Sequence, residues 1–222
     1  MASVTAGLHL LVPIKPLHLA KSRLLGAVGR ERGRSRAHAS LVTAVTLDTV
    51  SAARRTPQVH RVVAVTSDPE LTSTLRAAGV AVLPDSPAAG LNAALRHADG
   101  VLRRSSPEVR TGALQADLPA LRPDELGAAV EAAGTRRAFC PDRQGTGTTL
   151  LLAGHNGPLD PRFGPGSATT HGDSGAVLLD GPWESLRCDV DTGVDLKAAI
   201  ELGLGSHTRA HLARQHATDY AG

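Results

Sequence analysis

Leu8-His9-Leu10-Leu11-Val12-Pro13-Ile14-Lys15-Pro16-Leu17-His18-Leu19-Ala20-Lys21-Ser22-Arg23 is an apolar run that opens into a loop carrying two ammonium groups, a hydroxyl and a guanidinium. Residues 8–14 are short, almost wholly apolar and closed by proline, which reads as a strand buried on both faces. Such a strand belongs to a sheet with helices on either side. Lysine is scarce in this chain, three residues against twenty-one arginines, and two of the three sit in this loop. A compact ammonium kept at a strand exit, in a protein that otherwise writes its positive charge as arginine, suits a neighbouring phosphate.

Outward from that strand the pattern alternates. Apolar or β-branched strands at 61–66, 80–83, 111–116 and 137–141 are separated by helical periods near 35–54, 69–78, 90–103 and 123–133. This rhythm predicts right-handed βαβ units and an α/β domain with a mostly parallel sheet. After Pro141 the pattern changes to short strands at 148–153, 176–179 and 186–190, then a closing helix at 194–202. The tail from Gly203 has no apolar period and reads as loosely held surface. With no repeat, linker or composition break, one domain over 1–222 is expected, with a core at 8–203 and a tail at 204–222.

The 222 residues are 41% hydrophobic and only 2% aromatic, so the core must be built from Val, Leu, Ala and Ile. The net charge of +3 is modest. Arg30, Arg32, Arg34 and Arg36 have no interleaved aromatics and read as a solvated helix entry rather than a nucleic-acid patch. No apolar run is long enough to be a signal or a membrane span, so no membrane partner and a cytoplasmic location are expected. Cys140 and Cys188 lack ligand spacing and read as reduced, buried thiols. Gly-x-Gly-x-x-Gly after the first strand and Gly-x-x-x-x-Gly-Lys-Ser/Thr are both absent, which disfavours a dinucleotide oxidoreductase and a P-loop NTPase.

In an open α/β sheet the ligand lies at the carboxyl ends of the strands, and the unusual loops cluster there. Lys15, Lys21, Ser22 and Arg23 could surround a triphosphate and stabilise departing pyrophosphate; solvated surface charge is the bland alternative. Asp117, in Gln115-Ala116-Asp117-Leu118-Pro119, stands at a strand end where a hard oxygen ligand for magnesium would stand, although an aspartate there is often just a turn residue. Asp189 and Asp191 would share one face of a strand at 186–190 and its exit, an arrangement that calls for a cation between them. Asp195 reads as a structural carboxylate in the first turn of the last helix. Ser167, after Phe163-Gly164-Pro165-Gly166, reads as the N-cap of a short helix through His171, whose start could hold a carboxylate or phosphate; an ordinary capped loop is the alternative. Asp85 or Asn92 could read a base edge or a ribose, and either could equally be a cap.

Taken together, V-P-I-K-P-x-x-x-A-K-S-R-L at 12–24, G-L-N-A-A-L at 90–95, Q-A-D-L-P-A-L at 115–121, G-T-G-T-T at 145–149, F-G-x-G-S-A at 163–168 and D-V-D-T-x-x-D-L at 189–196 resemble one family. It is the guanylyltransferase of deazaflavin coenzyme F420 biosynthesis, which uses phosphoenolpyruvate in actinobacterial members and 2-phospho-L-lactate in archaeal ones. The resemblance implies a three-layer, nucleotidyltransferase-like fold of the nucleotide-diphospho-sugar transferase type. It puts GTP on Lys15, Lys21, Ser22 and Arg23 with Gly90, Leu91 and Asn92 near the guanosine. It puts magnesium on Asp117, Asp189 and Asp191, and the small acid on Thr149, Gly164 and Ser167.

The implied reaction is in-line attack by the acceptor phosphate on the α-phosphorus of GTP with release of pyrophosphate, Lys15, Lys21 and Asp117 acting at the reacting centre. The G-T-G-T-T form and the arginine-rich, lysine-poor composition favour phosphoenolpyruvate, with 2-phospho-L-lactate as the alternative acceptor. The resemblance also leaves room for hand-over of the product to the downstream F420 transferase. A different sugar- or cofactor-directed nucleotidyltransferase and a non-enzymatic nucleotide-binding module stay open; three separated aspartates speak against the latter.

Overall fold

The structure, a computed structural model, describes residues 7–15 and 31–219, and for residues 31–37, 216, 218 and 219 the backbone alone. Lys21, Ser22 and Arg23 of the phosphate loop, Arg30, and the side chains of Arg32, Arg34 and Arg36 lie outside what is described.

Strands β1 (Leu8–Pro13), β2 (Val59–Val65), β3 (Ala81–Leu83), β4 (Arg110–Leu114), β5 (Ala138–Pro141), β6 (Thr148–Leu152) and β7 (Val177–Leu178) form one sheet in the order β3-β2-β1-β4-β6-β5-β7. All neighbours are parallel except β6, which runs antiparallel to both β4 and β5. The opening strand is thus central, flanked by β2 and β4. The chain order reverses between β1 and β4, so a crevice is expected beyond the carboxyl ends of those two strands.

Side chains alternate across the sheet as a period of two requires. Leu8, Leu10, Val12 and Ile14 on β1 and its exit, with Val62 and Ala64 on β2, pack on one face against helices α1 (Glu31–Arg55), α2 (Pro69–Ala77) and α4 (Pro123–Ala133). Leu11, Val63, Val65 and Leu151 pack on the other against α3 (Leu91–Ser105) and α5 (Ser167–Asp173). At the centre, Gly112 on β4 lets the neighbouring leucines close in: an added Cβ would stand 2.8 Å from Leu10 Cδ2 and 2.9 Å from Leu152 Cδ2, so those side chains would have to shift.

Two expectations need correction. Residues 186–190 are not a strand: α6 (Glu184–Arg187) is a helical turn followed by irregular backbone. Glu125 Oε2 accepts from both the amide and the hydroxyl of Ser185, at 2.8 and 2.7 Å, and holds that turn in place. The sheet edge it would have joined is already taken by β7 on β5. Nor is the tail loose. After α7 (Gly193–Leu202) the chain forms α8 (Ser206–Asp219), which packs along α1. Its start is capped from across the molecule, since the buried Asp48 carboxylate accepts from the amides of His207 and Thr208 at 3.0 and 2.7 Å. Gly205 N donates to Pro119 O at 2.8 Å, which ties the chain's end to the loop after β4.

Both cysteines are free and buried, as expected. Burial pushes the Cys140 thiol up to about 11 and raises that of Cys188. No described helix is long and apolar enough to cross a membrane.

Candidate active site

Five strand termini bring polar groups to one end of the sheet. Lys15 follows β1, Asp85 follows β3, Asp117 follows β4, Asp142 follows β5, and Thr148 opens the antiparallel β6. These termini flank the crevice between β1 and β4.

Asp117 is the most perturbed group on the carboxylate side. Its Oδ1 is buried without a hydrogen-bond partner. Burial first, then the negative charges of Asp189 and Asp191, push its carboxyl up to about 7, while nearby Lys15 pulls the other way. Asp189 is also pushed up to about 7, by burial and then by Asp142 and Asp191. The aspartates expected on one strand face are instead on an irregular segment, and they still reach Asp117 because Val190 N donates to Asp117 O at 3.0 Å. Asp195 is structural as expected: it completes a capping box with Thr192 and takes Arg143 at 3.2 Å.

Among the described residues no three His, Cys, Asp or Glu side chains stand close enough to hold a metal ion as they are. The donor chemistry nonetheless suits a hard cation. Oxygen ligands, an orphaned buried oxygen and two carboxyls pushed up to about 7 by burial and then by like charges together describe a place short of positive charge.

The opposite side is held by hydrogen bonds that are already made. Asp142, which sequence reasoning passed over, uses Oδ1 to accept from Thr146 N at 2.8 Å and Oδ2 to accept from Gly147 N at 2.7 Å, closing the β5–β6 loop. The D-R-Q-G-T-G spacing of an Asx-type turn is the signal that could have found it. That loop docks on α5, since Ala168 N donates to Thr146 O at 3.1 Å.

Ser167 is not the cap of α5. Gly166 holds the N-cap with φ 70°, a left-handed conformation natural to glycine, and Ser167 is the first helical residue. The Ser167 hydroxyl turns instead to Thr148 Oγ1 at 3.2 Å. Ser167 N donates to Gly164 O at 3.1 Å, so the first two amides of this helix are engaged within the protein. Ser167 is only 2% exposed, while beside Gly164 and Gly166 there is open space, where an added Cβ would meet nothing within 4 Å.

Thr149 occupies a β-bulge. Pro141 pairs with Thr148 and Cys140 with Leu150, which leaves Thr149 as the extra residue. It is fully buried, with its hydroxyl donating to Cys140 O at 3.4 Å, and the bulge lets Thr148 face α5.

Gly90 is the N-cap of α3, with Leu91 its half-buried first residue. Asn92 does more than sit at a rim. Its Nδ2 donates to Phe163 O and its Oδ1 accepts from Phe163 N, both at 2.8 Å, a two-point clamp between α3 and the loop before α5. Asp85 keeps a buried, unpartnered Oδ1 at the exit of β3 and is the polar group left free there among the described residues.

The comparisons with known proteins agree with this architecture. Residues 23–169 match the family model described as a MobA-like NTP transferase domain. A putative nucleotide-diphospho-sugar transferase from Desulfovibrio desulfuricans G20 superposes with a TM-score of 0.68 at 18% identity, over 96% of each chain. A Mycobacterium tuberculosis H37Rv protein solved in complex with manganese superposes with a TM-score of 0.52 at 20% identity, over 89% of this chain and all of that one. At these identities the likeness concerns the fold, a three-layer α/β sandwich of the nucleotide-diphospho-sugar transferase type. The phosphoenolpyruvate guanylyltransferase of Salinispora arenicola (strain CNS-205) is 48% identical over 200 residues, 89% of each chain. With identity of that order over most of both chains, the chain belongs to the phosphoenolpyruvate guanylyltransferase family of nucleotidyltransferase enzymes.

Proposed function

We propose that this protein transfers GMP from GTP to phosphoenolpyruvate, forming enolpyruvyl-diphospho-guanosine and pyrophosphate. An oxygen of the acceptor phosphate attacks the α-phosphorus of GTP, and the bond to the β-phosphate oxygen breaks, so that pyrophosphate leaves with the electron pair. No protein base is required, because the attacking oxygen is already ionised near neutral pH; positioning and charge neutralisation are what the chain must supply.

The observation that carries this reading is the buried, unpartnered Oδ1 of Asp117, its carboxyl pushed up to about 7 by burial and then by Asp189 and Asp191, at the head of the β1–β4 crevice. Asp117, Asp189 and Asp191 would hold a divalent cation, magnesium by preference. When bound it would supply the charge neutralisation that two anionic substrates need. Lys15 stands on the same side and offsets triphosphate charge, a task it shares with Lys21, Ser22 and Arg23. Gly90, Leu91 and Asn92 border the guanosine, with Asp85 as the polar group aimed at it. Thr149, Gly164 and Ser167 border the acceptor; among them Ser167 Oγ is the group placed to touch it, and Thr149 acts through the bulge it creates.

Pyrophosphate release from GTP and magnesium tests the proposal, with phosphoenolpyruvate, 2-phospho-L-lactate or no acceptor. Release that requires phosphoenolpyruvate is expected. Release with phospholactate alone would change the acceptor and keep the chemistry, and silence with both would overturn the assignment.

A further inference from the structure

His171 lies four residues beyond Ser167 on α5 and is fully buried. It packs edge-on against Phe163, with ring centroids 5.2 Å apart and planes at 77°, and lies against Phe139 at 5.9 Å. Its two nitrogens are both engaged. Arg162 N donates to Nε2 at 3.0 Å, which leaves Nε2 as the acceptor and puts the ring proton on Nδ1. Nδ1 is 2.9 Å from Thr148 Oγ1, so the ring donates to Thr148.

One hydroxyl proton of the Thr148–Ser167 pair is then left without a partner in the protein. Thr148 Oγ1 receives the His171 proton and lies 3.2 Å from Ser167 Oγ. If Thr148 also accepted from Ser167, its own proton would be left without an acceptor in a residue only 4% exposed. Donation from Thr148 to Ser167 moves that unpaired proton to Ser167, itself only 2% exposed, where an oxygen of a ligand entering the open space beside Gly164 and Gly166 would be its acceptor.

We propose that His171 is a positioning residue for the acceptor: through Thr148 it orients the Ser167 hydroxyl so that its proton points at an oxygen of the phosphorylated acid. This rests on the function proposed above. Burial, and then the Arg137 charge, lower the His171 imidazole to about 4, which keeps the ring neutral and its single tautomer in place. The ring itself does not touch the substrate. Asn92 supports it from behind, because the clamp on Phe163 sets the ring against which His171 stands.

The test is steady-state kinetics on the full chain, varying each substrate separately, for Thr148→Val, Thr148→Ser, His171→Asn and His171→Gln, with thermal melting and GTP binding as folding controls. Thr148→Val, nearly isosteric, carries the result if the histidine variants fold poorly. It should raise KM for phosphoenolpyruvate about tenfold with KM for GTP within about twofold, and Thr148→Ser should bring the acceptor KM back to within about threefold. His171→Asn, which keeps an amide donor near the Nδ1 position, should resemble Thr148→Ser, whereas His171→Gln should resemble Thr148→Val. A lowered melting temperature with an unchanged acceptor KM in Thr148→Val would make the network merely structural and overturn the proposal. Failure of the wild-type chain to turn over either acid, seen before any variant is compared, would overturn the proposed function and the acceptor role of His171 with it.

Discussion

The two walls of the crevice are built on opposite electrostatic plans. On one, Asp117, Asp189 and Asp191 repel one another, two of them are held near pH 7, and a buried oxygen has no partner. On the other, Asp142, Asn92, His171, Thr148 and Ser167 meet their partners within the protein at 2.7–3.2 Å. The first wall is short of positive charge; the second has most of its hydrogen bonds made within the protein. Such a division suits a bimolecular transfer, in which charge must be neutralised on one reactant and the other must be held in line.

The sharpest way to break that contrast is Asp117→Asn. It should cut pyrophosphate release by about a thousandfold or more while the protein still folds, because the charge-neutralising wall loses its central ligand. Magnesium should raise the melting temperature of the wild-type chain and leave that of the variant unchanged; a variant with near-normal turnover would remove the contrast. Asp142→Asn probes the seam between the walls. An amide can serve only one of the Thr146 and Gly147 amides that the carboxylate serves now, so a loss of about 1–3 kcal/mol in denaturant stability is expected. Turnover should fall about ten- to a hundredfold as the loop that supports α5 shifts. Removal of the Asp142 charge also relieves Asp189, whose titration, followed by NMR, should move down towards the ordinary carboxylate range.

Smaller effects sharpen the picture. Asn92→Ala removes both bonds to Phe163, so the KM values for GTP and for the acceptor should rise together, each about tenfold; a change confined to GTP would separate the nucleotide side from the acceptor side. The finest is an acid effect. In the folded chain His171 stays neutral down to about 4, whereas its unfolded value is 6.5. The unfolded chain therefore binds the extra proton, and this part of the stability is present above 6.5 and lost as pH falls towards 4. His171→Asn should narrow the difference in melting temperature between pH 7 and pH 5 by about 2–4 °C.

Much of this was legible in the chain because it is local. An apolar run closed by proline is a buried strand wherever it falls, and the alternation after it places Lys15 and Asp117 at strand exits. What escaped reading depends on distant partners. Residues 186–190 carry an apolar pattern fit for a strand, but a strand needs a free edge, and β7 holds it while Glu125 caps the segment as a turn. The last helix has no apolar stripe of its own; its start is capped by Asp48, more than a hundred and fifty positions earlier. Thr148 was overshadowed by Thr149 because a single inserted residue in β6 exchanges the faces of two adjacent threonines, and no composition reveals a bulge. Asn92 was read as a rim group since its sequence neighbours say nothing of Phe163, seventy-one positions away.

The bond from Gly205 to Pro119 and the docking of α8 on α1 also set an order in time. Strands β1 to β6 leave the ribosome before Asp189, Asp191 and the final helix, so a nascent chain can assemble its sheet while Asp117 still lacks the two aspartates that flank it. The half-made protein carries Thr149, Gly164 and Ser167 and lacks the second and third carboxylates. The three-carboxylate cluster is therefore complete only once the chain has been made through Asp191, and α8 docks on α1 after that.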